Sequence, residues 1–599
     1  MNEIADILII AILGILAISV VAALARRFNL AGPLILVVVG AGVSLLPFVQ
    51  VPPIDPNIIL VGVLPPLLYS AAVSLPAIEF RRDFPSISGL SVLLVFISAI
   101  VLGLFFHAVI PGLNLFLAIA LGAILSPTDA VATTIVKRIG ISPRVTTLLD
   151  GESLLNDATS LVILRTMTAA AIAGSVEPGQ LIGSFLWGVL VALVVGIVVG
   201  YANLRLRAWL GSSGAASTAV GFVVPFVAYI PTEHLDGSGL VAAVVAGIVT
   251  GQGSARWFTP EQRMSDTLNW RTIELVLEGG VFLIMGLELK DIVRSNMDDH
   301  GGLWHGAWLA LVALAIVLGV RAVYVSGLVW IQSRRARDQA RRRLQAISGR
   351  LDDIAAHTAT GTPPGGAPGE PPAGRHRRHG RHLRGVSDAH RRQRRVETMR
   401  ARLARAFADL DYYQASPLGW RHGTVIVWAG MRGVVTLAAA QTLPADSPGR
   451  PLLIFVAFLV ALISLLVQGT TLPWVVRALG LAGSGEDEAS GEEQARLDDE
   501  LRAAAASALS RGHLSRRDGS PFDPDLVKRV GTRMTEPPRD DETSYRDGME
   551  LRLALIEAMR AKLNELSEGG AFSTAALRHS LAELDANQIS LELRLDDGS

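Results

Sequence analysis

The chain has 599 residues, of which 50% are hydrophobic and only 18% are charged, and its mean hydropathy is +0.42. Charged residues make up roughly a quarter of ordinary soluble domains, so this composition excludes a single soluble domain. The sequence contains no Cys, which excludes disulfides, a thiolate nucleophile and a Cys-ligated metal. Residues 334–419 carry 19 basic and 8 acidic residues, whereas residues 481–599 carry 15 and 25. An apolar body therefore carries two polar segments of opposite charge.

Thirteen apolar runs follow one another along the chain, each close to the ~20 residues with which an α-helix spans a bilayer. Short segments rich in Gly, Pro and Asp separate the runs and are typical of tight turns outside the membrane. The runs cover approximately residues 5–24, 32–49, 57–75, 87–110, 113–136, 149–173, 180–203, 213–230, 237–252, 270–289, 303–331, 423–443 and 451–475. The sequence therefore predicts an all-α polytopic membrane protein with about 13 transmembrane helices.

Loop charges predict the orientation of the chain, because basic loops stay on the cytoplasmic side of a membrane. The loops after odd-numbered runs carry Arg26, Arg27, Arg81, Arg82, Lys137, Arg138, Arg144, Arg205, Arg207, Arg256, Arg263 and Arg271, and then the Arg-rich segment. The loops after even-numbered runs carry only Lys290, Arg294 and Arg450. This alternation supports the helix count and predicts a multi-pass protein of the cytoplasmic membrane with its N-terminus outside and its C-terminus in the cytoplasm.

Ionisable residues inside the runs indicate where function lies, because such a group near the bilayer centre costs at least ~2.5–3.5 kcal/mol. Few are present, and those singled out here are Asp129, Asp150, Glu152, Asp157, Arg165, Glu274, Glu278, Arg321 and Arg432. The buried charges clustered in runs 5, 6, 11 and 12 favour an occluded site at the membrane midplane over the continuous polar pore of a channel. Glu274 and Glu278 follow Arg271 near the cytoplasmic end, where a charged entrance funnel or direct coordination of a cation are the two interpretations.

Residues four apart share one face of a helix, so the sixth run presents two adjacent polar stripes. Ser153 and Asp157 offer a hydroxyl and a carboxylate, the oxygen ligands that small hard cations prefer. Glu152 and Asn156 offer a carboxylate and an amide, which suit a buried ion pair with a guanidinium. The sequence therefore predicts a cation site and a structural ion pair side by side.

Two runs contain residues that favour a broken helix. Pro127 lacks a backbone donor and clashes with the preceding turn, and Gly430 to Gly433 form a second weak point in the twelfth run. The two positions mirror each other if spans 1–6 and 8–13 are inverted repeats of six helices. Broken helices at the midplane supply free carbonyls and amides for ion sites in transporters.

Five motifs occur in order along the chain: Leu64-Pro65-Pro66-Leu67-Leu68-Tyr69, Ser126-Pro127-Thr128-Asp129-Ala130-Val131, Gly151-Glu152-Ser153-Leu154-Leu155-Asn156-Asp157, Gly286-Leu287-Glu288 and Gly430-Met431-Arg432-Gly433. Together they resemble the monovalent cation:proton antiporters of the sodium/proton exchanger type, over about residues 5–477. The Gly-Glu-Ser-x-x-Asn-Asp run is a specific signature. The resemblance implies a homodimeric membrane exchanger of thirteen helices that works by an elevator-like movement of a core domain.

The resemblance also implies a role for each polar residue of the runs. Asp157 is implied to carry the cation and the proton in turn, with Ser153 and Thr128 as further cation ligands, while Asn156 steadies the site. Asp129 is implied to compensate the broken fifth helix, and direct cation contact is its alternative role. Glu152 is implied to pair with a buried arginine, for which Arg321 is the first candidate and Arg432 the second.

Two features depart from the family pattern. Many prokaryotic relatives have an acidic residue after the Pro-Pro-x-x-aromatic run of the third span, where this chain has Ser70. The missing carboxylate weakens the analogy to a sodium site, so K⁺ stays an alternative for the transported cation. The polar insert of about 85 residues between spans eleven and twelve is longer than the usual connection of this family.

The function predicted from these residues is antiport of a monovalent cation, Na⁺ or alternatively K⁺, against H⁺, with a role in pH homeostasis. A neutral Asn156 beside Asp157 leaves one titrating carboxylate per site, which predicts an electroneutral exchange of one proton for one cation. The third alternative is a proton-coupled symporter of a small organic solute. No motif of a metalloprotease, hydrolase or nucleotide-binding enzyme is present, and neither enzyme activity nor a cofactor is expected.

The predicted organisation has four parts. They are residues 1–332 with helices 1–11, residues 333–420 as a basic, partly disordered cytoplasmic insert, residues 421–477 with helices 12 and 13, and residues 478–599 as an acidic tail. Amphipathic patterns at about 546–567 and 573–594 predict a helical hairpin in the tail. The basic insert is interpreted first as a plain cytoplasmic loop that follows the positive-inside rule, and next as a segment that binds anionic lipid rather than nucleic acid. Its charge and its five histidines, His357, His376, His379, His382 and His390, make a contact with the acidic tail a further hypothesis.

Overall fold

The computed structural model describes residues 2–28, 31–46, 55–173, 178–211, 214–298, 302–335, 412–413, 417–483, 488–511, 514–516, 519–527, 542–570 and 572–596. Within these ranges the chain is helical, and its β-structure is limited to an isolated bridge between Ser515 and Pro521. The all-α prediction is therefore confirmed. The five histidines and nearly all arginines of the insert lie outside the described residues. The hypothesis that this segment contacts the tail therefore stays a prediction.

The membrane part is built from helices whose bounds mostly follow the apolar runs. In chain order they are α1 (Asn2–Phe28), α2 (Gly32–Ser44), α3 (Leu64–Ser74), α4 (Ala77–Ser88), α5 (Leu94–Val109), α6 (Leu115–Leu125), α7 (Val131–Ile139), α8 (Pro143–Ala173), α9 (Pro178–Leu210), α10 (Gly214–His234), α11 (Gly239–Trp257), α12 (Pro260–Leu287), α13 (Leu289–Asp298), α14 (Leu303–Arg335), α15 (Trp420–Trp428), α16 (Val434–Gln441) and α17 (Arg450–Ala478). The tail contributes α18 (Glu488–Arg511), α19 (Glu542–Gly569) and α20 (Thr574–Asp596). The short amphipathic helix α13 was not expected from the apolar pattern.

Two π-helical turns run directly into α-helices. One, Ile58–Val63, precedes α3, and the other, Gly89–Leu93, links α4 to α5. Pro65 and Pro66 lie in the first turn of α3, directly after the first π-helical turn. The seventeen-residue stretch from Ile58 to Ser74 thus stays helical through the paired prolines.

The helix breaks lie where Pro127 and the Gly430 to Gly433 run place them. Helix α6 ends at Leu125 and α7 begins at Val131, while α15 ends at Trp428 and α16 begins at Val434. The two extended segments between these half-helices touch, because the backbone N–H of Asp129 donates to the carbonyl of Met431 at 2.8 Å. Backbone groups of both breaks therefore meet at one point inside the protein.

Within the described residues, five helices are long and apolar enough to cross a membrane by length and composition. They are Ala77–Val109, Ile182–Leu210, Ala215–His234, Leu303–Gln332 and Arg450–Ala478. Shorter apolar helices lie at Ala11–Ala25, Gly32–Ser44, Ile58–Ser74 and Leu115–Leu125. The count of thirteen spans and their inverted repeat stay predictions.

The membrane helices pack into two bundles. The first bundle contains α1 to α3 and α9 to α12, with α11 packed on α9 and α3, and α12 packed on α2. The second bundle contains α4 to α8 and α14 to α17, with α6 between α5 and α8, and α14 against α17. Gly40 and Gly286 face each other where α2 crosses α12, and an added Cβ at either would meet the backbone of the other helix. Small residues of this kind let membrane helices approach closely.

Candidate functional site

A cavity of about 270 Å³ lies between the two bundles. The second bundle contributes the break between α6 and α7, one face of α7, residues 150–157 of α8 and the start of α16, and the first bundle contributes α3 and α12. The polar residues that line the cavity are Ser74, Thr128, Asp129, Thr134, Lys137, Asp150, Ser153, Asp157, Glu274, Glu278 and Thr436. The structure therefore brings four of the predicted site residues, Thr128, Asp129, Ser153 and Asp157, to one space.

The carboxylate of Asp157 is half-buried on α8 and faces this cavity. Within the part of the chain that the structure describes, it accepts no hydrogen bond and forms no ion pair. Ser153 lies one turn earlier on the same face, and its hydroxyl donates to the carbonyl of Asp150 at 3.2 Å. The oxygen of that hydroxyl stays able to accept or to bind a cation. A bare carboxylate in such a place is costly unless it binds a proton or a cation.

Asn156 and Thr128 connect the Asp157 helix to the break in the neighbouring helix. The side-chain amide of Asn156 donates to the Thr128 hydroxyl at 2.7 Å, and that hydroxyl donates to Glu152 Oε1 at 3.2 Å. The Thr128 hydroxyl therefore donates its proton to Glu152. Its oxygen keeps a lone pair that can bind a cation in the cavity that Thr128 lines. This chain of contacts holds the break in a fixed position against α8.

Glu152 and Arg321 form a buried ion pair next to the cavity. Both guanidinium ends of Arg321 contact the carboxylate, Nη1 on Oε1 and Nη2 on Oε2, the latter at 2.8 Å, and the two side chains are 1% and 2% exposed. Arg321 Nε also donates to the Ile426 carbonyl of α15 at 3.0 Å. The first of the two candidate arginines is thus the one that the structure places on Glu152.

Arg432, the second candidate for pairing with Glu152, has other partners. Its Nε donates to the Leu125 carbonyl at 3.0 Å, its Nη2 to the Ser126 carbonyl at 3.4 Å, and its Nη1 to the Gly430 carbonyl. These carbonyls are left without helical partners at the ends of α6 and α15, where the helix dipoles place negative charge. Arg432 therefore neutralises the C-terminal ends of both broken helices.

Asp129 lies where the two broken helices resume, next to the N-terminal ends of α7 and α16. Its Oδ1 accepts from the backbone N–H of Val131 at 3.0 Å, at the start of α7, and its Oδ2 abuts Gly433, which precedes α16. A carboxylate at two helix N-termini meets the positive ends of their dipoles. This geometry favours helix-end compensation by Asp129 over direct cation contact, although the residue also lines the cavity.

The approach of Asp129 to Gly433 gives a testable prediction. An added Cβ at Gly433 would overlap the Asp129 carboxylate, so we expect Gly433→Ala to lower the free energy of unfolding by about 1–3 kcal/mol, the usual cost of overpacking. Thermal unfolding in detergent measures the change. The matched control is Gly319→Ala on α14, where an added Cβ meets nothing within 4 Å. Equal melting temperatures for the two variants would contradict the close contact.

The wall opposite Asp157 is acidic. Glu274 and Glu278 both line the cavity from α12, and the hydroxyl of Ser70 donates to Glu274 Oε1 at 2.5 Å. Ser70 thus holds a carboxylate that comes from another helix. This contact links positions 204 residues apart in the sequence, so no local pattern could have predicted it.

Three further contacts were missed by sequence reasoning. Ser464 of α17 accepts the Arg432 backbone N–H at 2.9 Å, and a hydroxyl within a long apolar stretch was the available signal. Lys137 pairs with Asp150 at 2.8 Å at the rim of the cavity. Arg165 contacts Glu233 of α10 and is 53% exposed.

A family model described as "Sodium/hydrogen exchanger, transmembrane" matches residues 14–349 and 401–478. An uncharacterised Na⁺/H⁺ exchanger of Escherichia coli is 32% identical over 290 residues, which are 47% of this chain and 53% of that protein. One of Mycobacterium tuberculosis is 26% identical over 98% of this chain and 96% of its own length. The sodium, potassium, lithium and rubidium/H⁺ antiporter of Bacillus subtilis is 31% identical over 48% of this chain and 44% of its own. The matches thus extend over about half of two relatives and almost all of the third.

A solved structure has the same fold. The sodium proton antiporter MjNhaP1 from Methanocaldococcus jannaschii, at pH 8, superimposes with a TM-score of 0.51 and 16% sequence identity. The match covers 79% of this chain and 99% of that protein. The likeness supports the arrangement of helices described above.

Proposed function

Because the chain belongs to the family of transmembrane sodium/hydrogen exchangers, we propose that it is an antiporter that exchanges a monovalent cation for a proton across the cytoplasmic membrane. Na⁺ is the proposed cation and K⁺ the alternative. The observation that carries the proposal is the half-buried Asp157 carboxylate, which faces the cavity between the two bundles without a protein partner among the described residues. Such a group binds either a proton or a cation, and the two compete for it.

Asp157 is the proposed carrier, and the ligands around it are oxygen atoms. Ser153 lies one turn away on α8 and Thr128 lines the same cavity from the broken helix, so both hydroxyl oxygens supplement the carboxylate. Hard monovalent cations prefer such oxygen donors. The helix breaks and α8 are held in place around the cation by a second set of side chains, namely Asn156, Asp129, Arg432 and the pair of Glu152 with Arg321. The transported ions are the substrates, and the proposal includes no resident cofactor.

Transport requires that Asp157 face each side of the membrane in turn. The cavity lies between the two bundles, with Asp157 on one and Glu274 and Glu278 on the other. We propose that the second bundle moves against the first in an elevator-like manner, and that a homodimer anchors the first. The protonated and the cation-bound site are both neutral, whereas the bare carboxylate in a closed site is too costly to move.

The experiment that tests the function uses purified protein in liposomes with a trapped pH dye. Addition of Na⁺, K⁺ or Li⁺ in turn is expected to release protons, most strongly with Na⁺. Two points keep K⁺ as the alternative. Ser70 supplies a hydroxyl where the resemblance leads us to expect an acid, and the Bacillus subtilis relative is named for several alkali cations. No response to any of the three cations would instead favour the symport of a small organic solute.

Electroneutrality is a separate prediction. If Asp157 alone binds the exchanged proton, each turnover moves one cation against one proton, and an imposed membrane potential is expected to leave the exchange rate unchanged. Potential-driven proton movement in sealed vesicles would contradict this stoichiometry and require a second titrating group. Asp129 is held by the Val131 N–H, so Glu278, which lines the same cavity, is the group to replace next. Loss of the potential dependence in Glu278→Gln would identify it.

The cellular setting follows from the family and the loop charges. We propose a multi-pass protein with the N-terminus outside and the C-terminus inside, acting in pH homeostasis. The division into residues 1–332, 333–420, 421–477 and 478–599 belongs to the same proposal, and the tail helices α18 to α20 support its last part.

A further inference from the structure

The last helix of the tail, α20, begins on the second bundle. The backbone N–H of Thr574 donates to Glu79 Oε1 at 2.6 Å, and its hydroxyl contacts Glu79 Oε2. The same hydroxyl accepts from the backbone N–H of Ile78 at 3.3 Å. Glu79 is only 4% exposed and lies in the first turn of α4, which packs on the Asp157 helix α8. The start of α20 is therefore fastened to the bundle that carries the proposed ion site.

One turn later, α20 reaches the end of α3 in the first bundle. Arg578 donates through Nη2 to the Leu75 carbonyl at 2.7 Å and through Nη1 to the Ser74 carbonyl. These carbonyls terminate α3, where a cation is favoured by the helix dipole. Ser74 and Leu75 also line the cavity, so this contact lies at its rim.

Two turns further along, α20 is fastened to α12, also in the first bundle. Asp585 Oδ2 accepts from Arg263 Nε at 2.9 Å and Oδ1 contacts Arg263 Nη2, and Oδ1 also pairs with Arg560 of α19 at 3.0 Å. The side chains of Arg263 and Asp585 are 12% and 11% exposed, so solvent screens this pair weakly. Arg263 belongs to the same helix as Glu274 and Glu278.

The three tail helices pack into one unit that connects these contacts. Its three helices share a buried apolar cluster that includes Ile78 of α4. The cluster consists of Ile78, Leu497, Leu501, Met549, Leu553, Ile556, Leu563, Phe572, Ala576, Leu577, Leu584 and Leu591. A packed unit that includes a side chain of the second bundle cannot follow the first bundle freely.

We propose that α20 is a clamp across the mouth of the cavity that ties the two bundles together and thereby limits the rate of exchange. The clamp rests on the proposed antiport, because it acts only if the bundles must move against each other. Each displacement of the second bundle must break either the contact of Thr574 with Glu79 or the contacts of Arg578 and Asp585. The ion pair of Asp585 with Arg263 is called the latch. Breaking the latch lowers the free energy needed to displace the second bundle.

The first test removes the latch. We expect Asp585→Asn to raise the rate of cation-driven proton release in proteoliposomes roughly 5-fold, the lower end of usual coupling between sites. The matched control is Glu583→Gln, which removes the same charge from the same helix at an exposed position, where its ion-pair partner among the described residues is the exposed His579. We expect wild-type exchange from this control.

The second test locks the latch, and it uses the absence of Cys from the native chain. Arg263→Cys with Asp585→Cys, joined by a short cleavable thiosulfonate reagent, is expected to slow exchange until a reductant cleaves the link. Arg516→Cys with Asp547→Cys is the control, because these side chains form an ion pair within the tail and a link between them spans no bundles. This second test does not depend on whether Asp585→Asn loosens the tail itself.

The outcomes separate the clamp from the antiport. No cation-driven proton release from the wild-type chain would refute the proposed function. Wild-type exchange that neither Asp585→Asn nor the Arg263–Asp585 link changes would refute the clamp and leave the function standing. An equal slowing by both cysteine links would also refute it, because the effect would then come from the tail and not from the connection of the bundles.

Discussion

Asp157→Asn is expected to abolish exchange for every alkali cation, reducing proton release to the leak of protein-free liposomes. An amide at this position does not take up a proton at the pH of the transport assay, and it does not balance the charge of a cation. The Asp157 carboxylate has no protein partner among the described residues, so its replacement breaks no hydrogen bond or ion pair. We therefore expect a melting temperature in detergent no lower than that of the wild type, because an unpaired half-buried charge destabilises a fold.

The controls for this variant lie in the same cavity. Ser153→Ala removes one proposed hydroxyl ligand and leaves the carboxylate, so we expect it to weaken cation affinity without abolishing exchange. Glu274→Gln changes a carboxylate that lines the cavity from the other bundle, so we expect exchange to survive. Near wild-type exchange by Asp157→Asn, measured in the same liposomes, would show that another group carries the ions.

Glu152→Gln is expected to cost the protein about 3–5 kcal/mol of stability, the usual result of leaving one partner of a buried ion pair uncompensated. Arg321 would keep its contacts to the Ile426 carbonyl but would face a neutral amide with one acceptor oxygen in place of the carboxylate. The melting temperature in detergent should fall accordingly. Exchange is expected to fall as well, because Glu152 also accepts the Thr128 hydroxyl at the break.

A second substitution identifies the partner of Glu152. Arg321→Gln in the Glu152→Gln chain removes the uncompensated cation and is expected to restore part of the lost melting temperature. Arg432→Gln in the same background should lower it further, because the carbonyls of Leu125, Ser126 and Gly430 then lose their donor. Rescue by the Arg432 change and not by the Arg321 change would contradict the pairing seen in the structure.

Local chemistry made much of the architecture predictable. Runs of about 20 apolar residues predict helices because a bilayer leaves backbone groups no other partners, and the structure is all-α. The break at Pro127 follows from the missing backbone donor, and the stripe of Ser153 and Asp157 follows from the helical period. The resemblance to sodium/proton exchangers is confirmed by the family model, since its motifs lie on these same local features.

The interpretation of single polar residues needed the packed structure. Sequence spacing left both Arg321 and Arg432 as partners of Glu152, since each is one arginine in a distant apolar run. Packing puts Arg321 on the carboxylate and Arg432 on the carbonyl ends of two broken helices. Charge complementarity limits which pairs are possible, but only the three-dimensional position of each helix selects among them.

The sequence by itself determined the helical class of this protein, its family, the position of its helix breaks and the face of α8 on which Ser153 and Asp157 lie, because each depends on residues within a few turns. Only the tertiary structure decided that Ser70 holds Glu274 and that the tail spans both bundles through Glu79 and Arg263. These contacts join residues hundreds of positions apart, and the same side chains could have been satisfied by water or by other partners. Which contact forms is settled by how the apolar faces of the helices pack, and a linear pattern does not contain that arrangement.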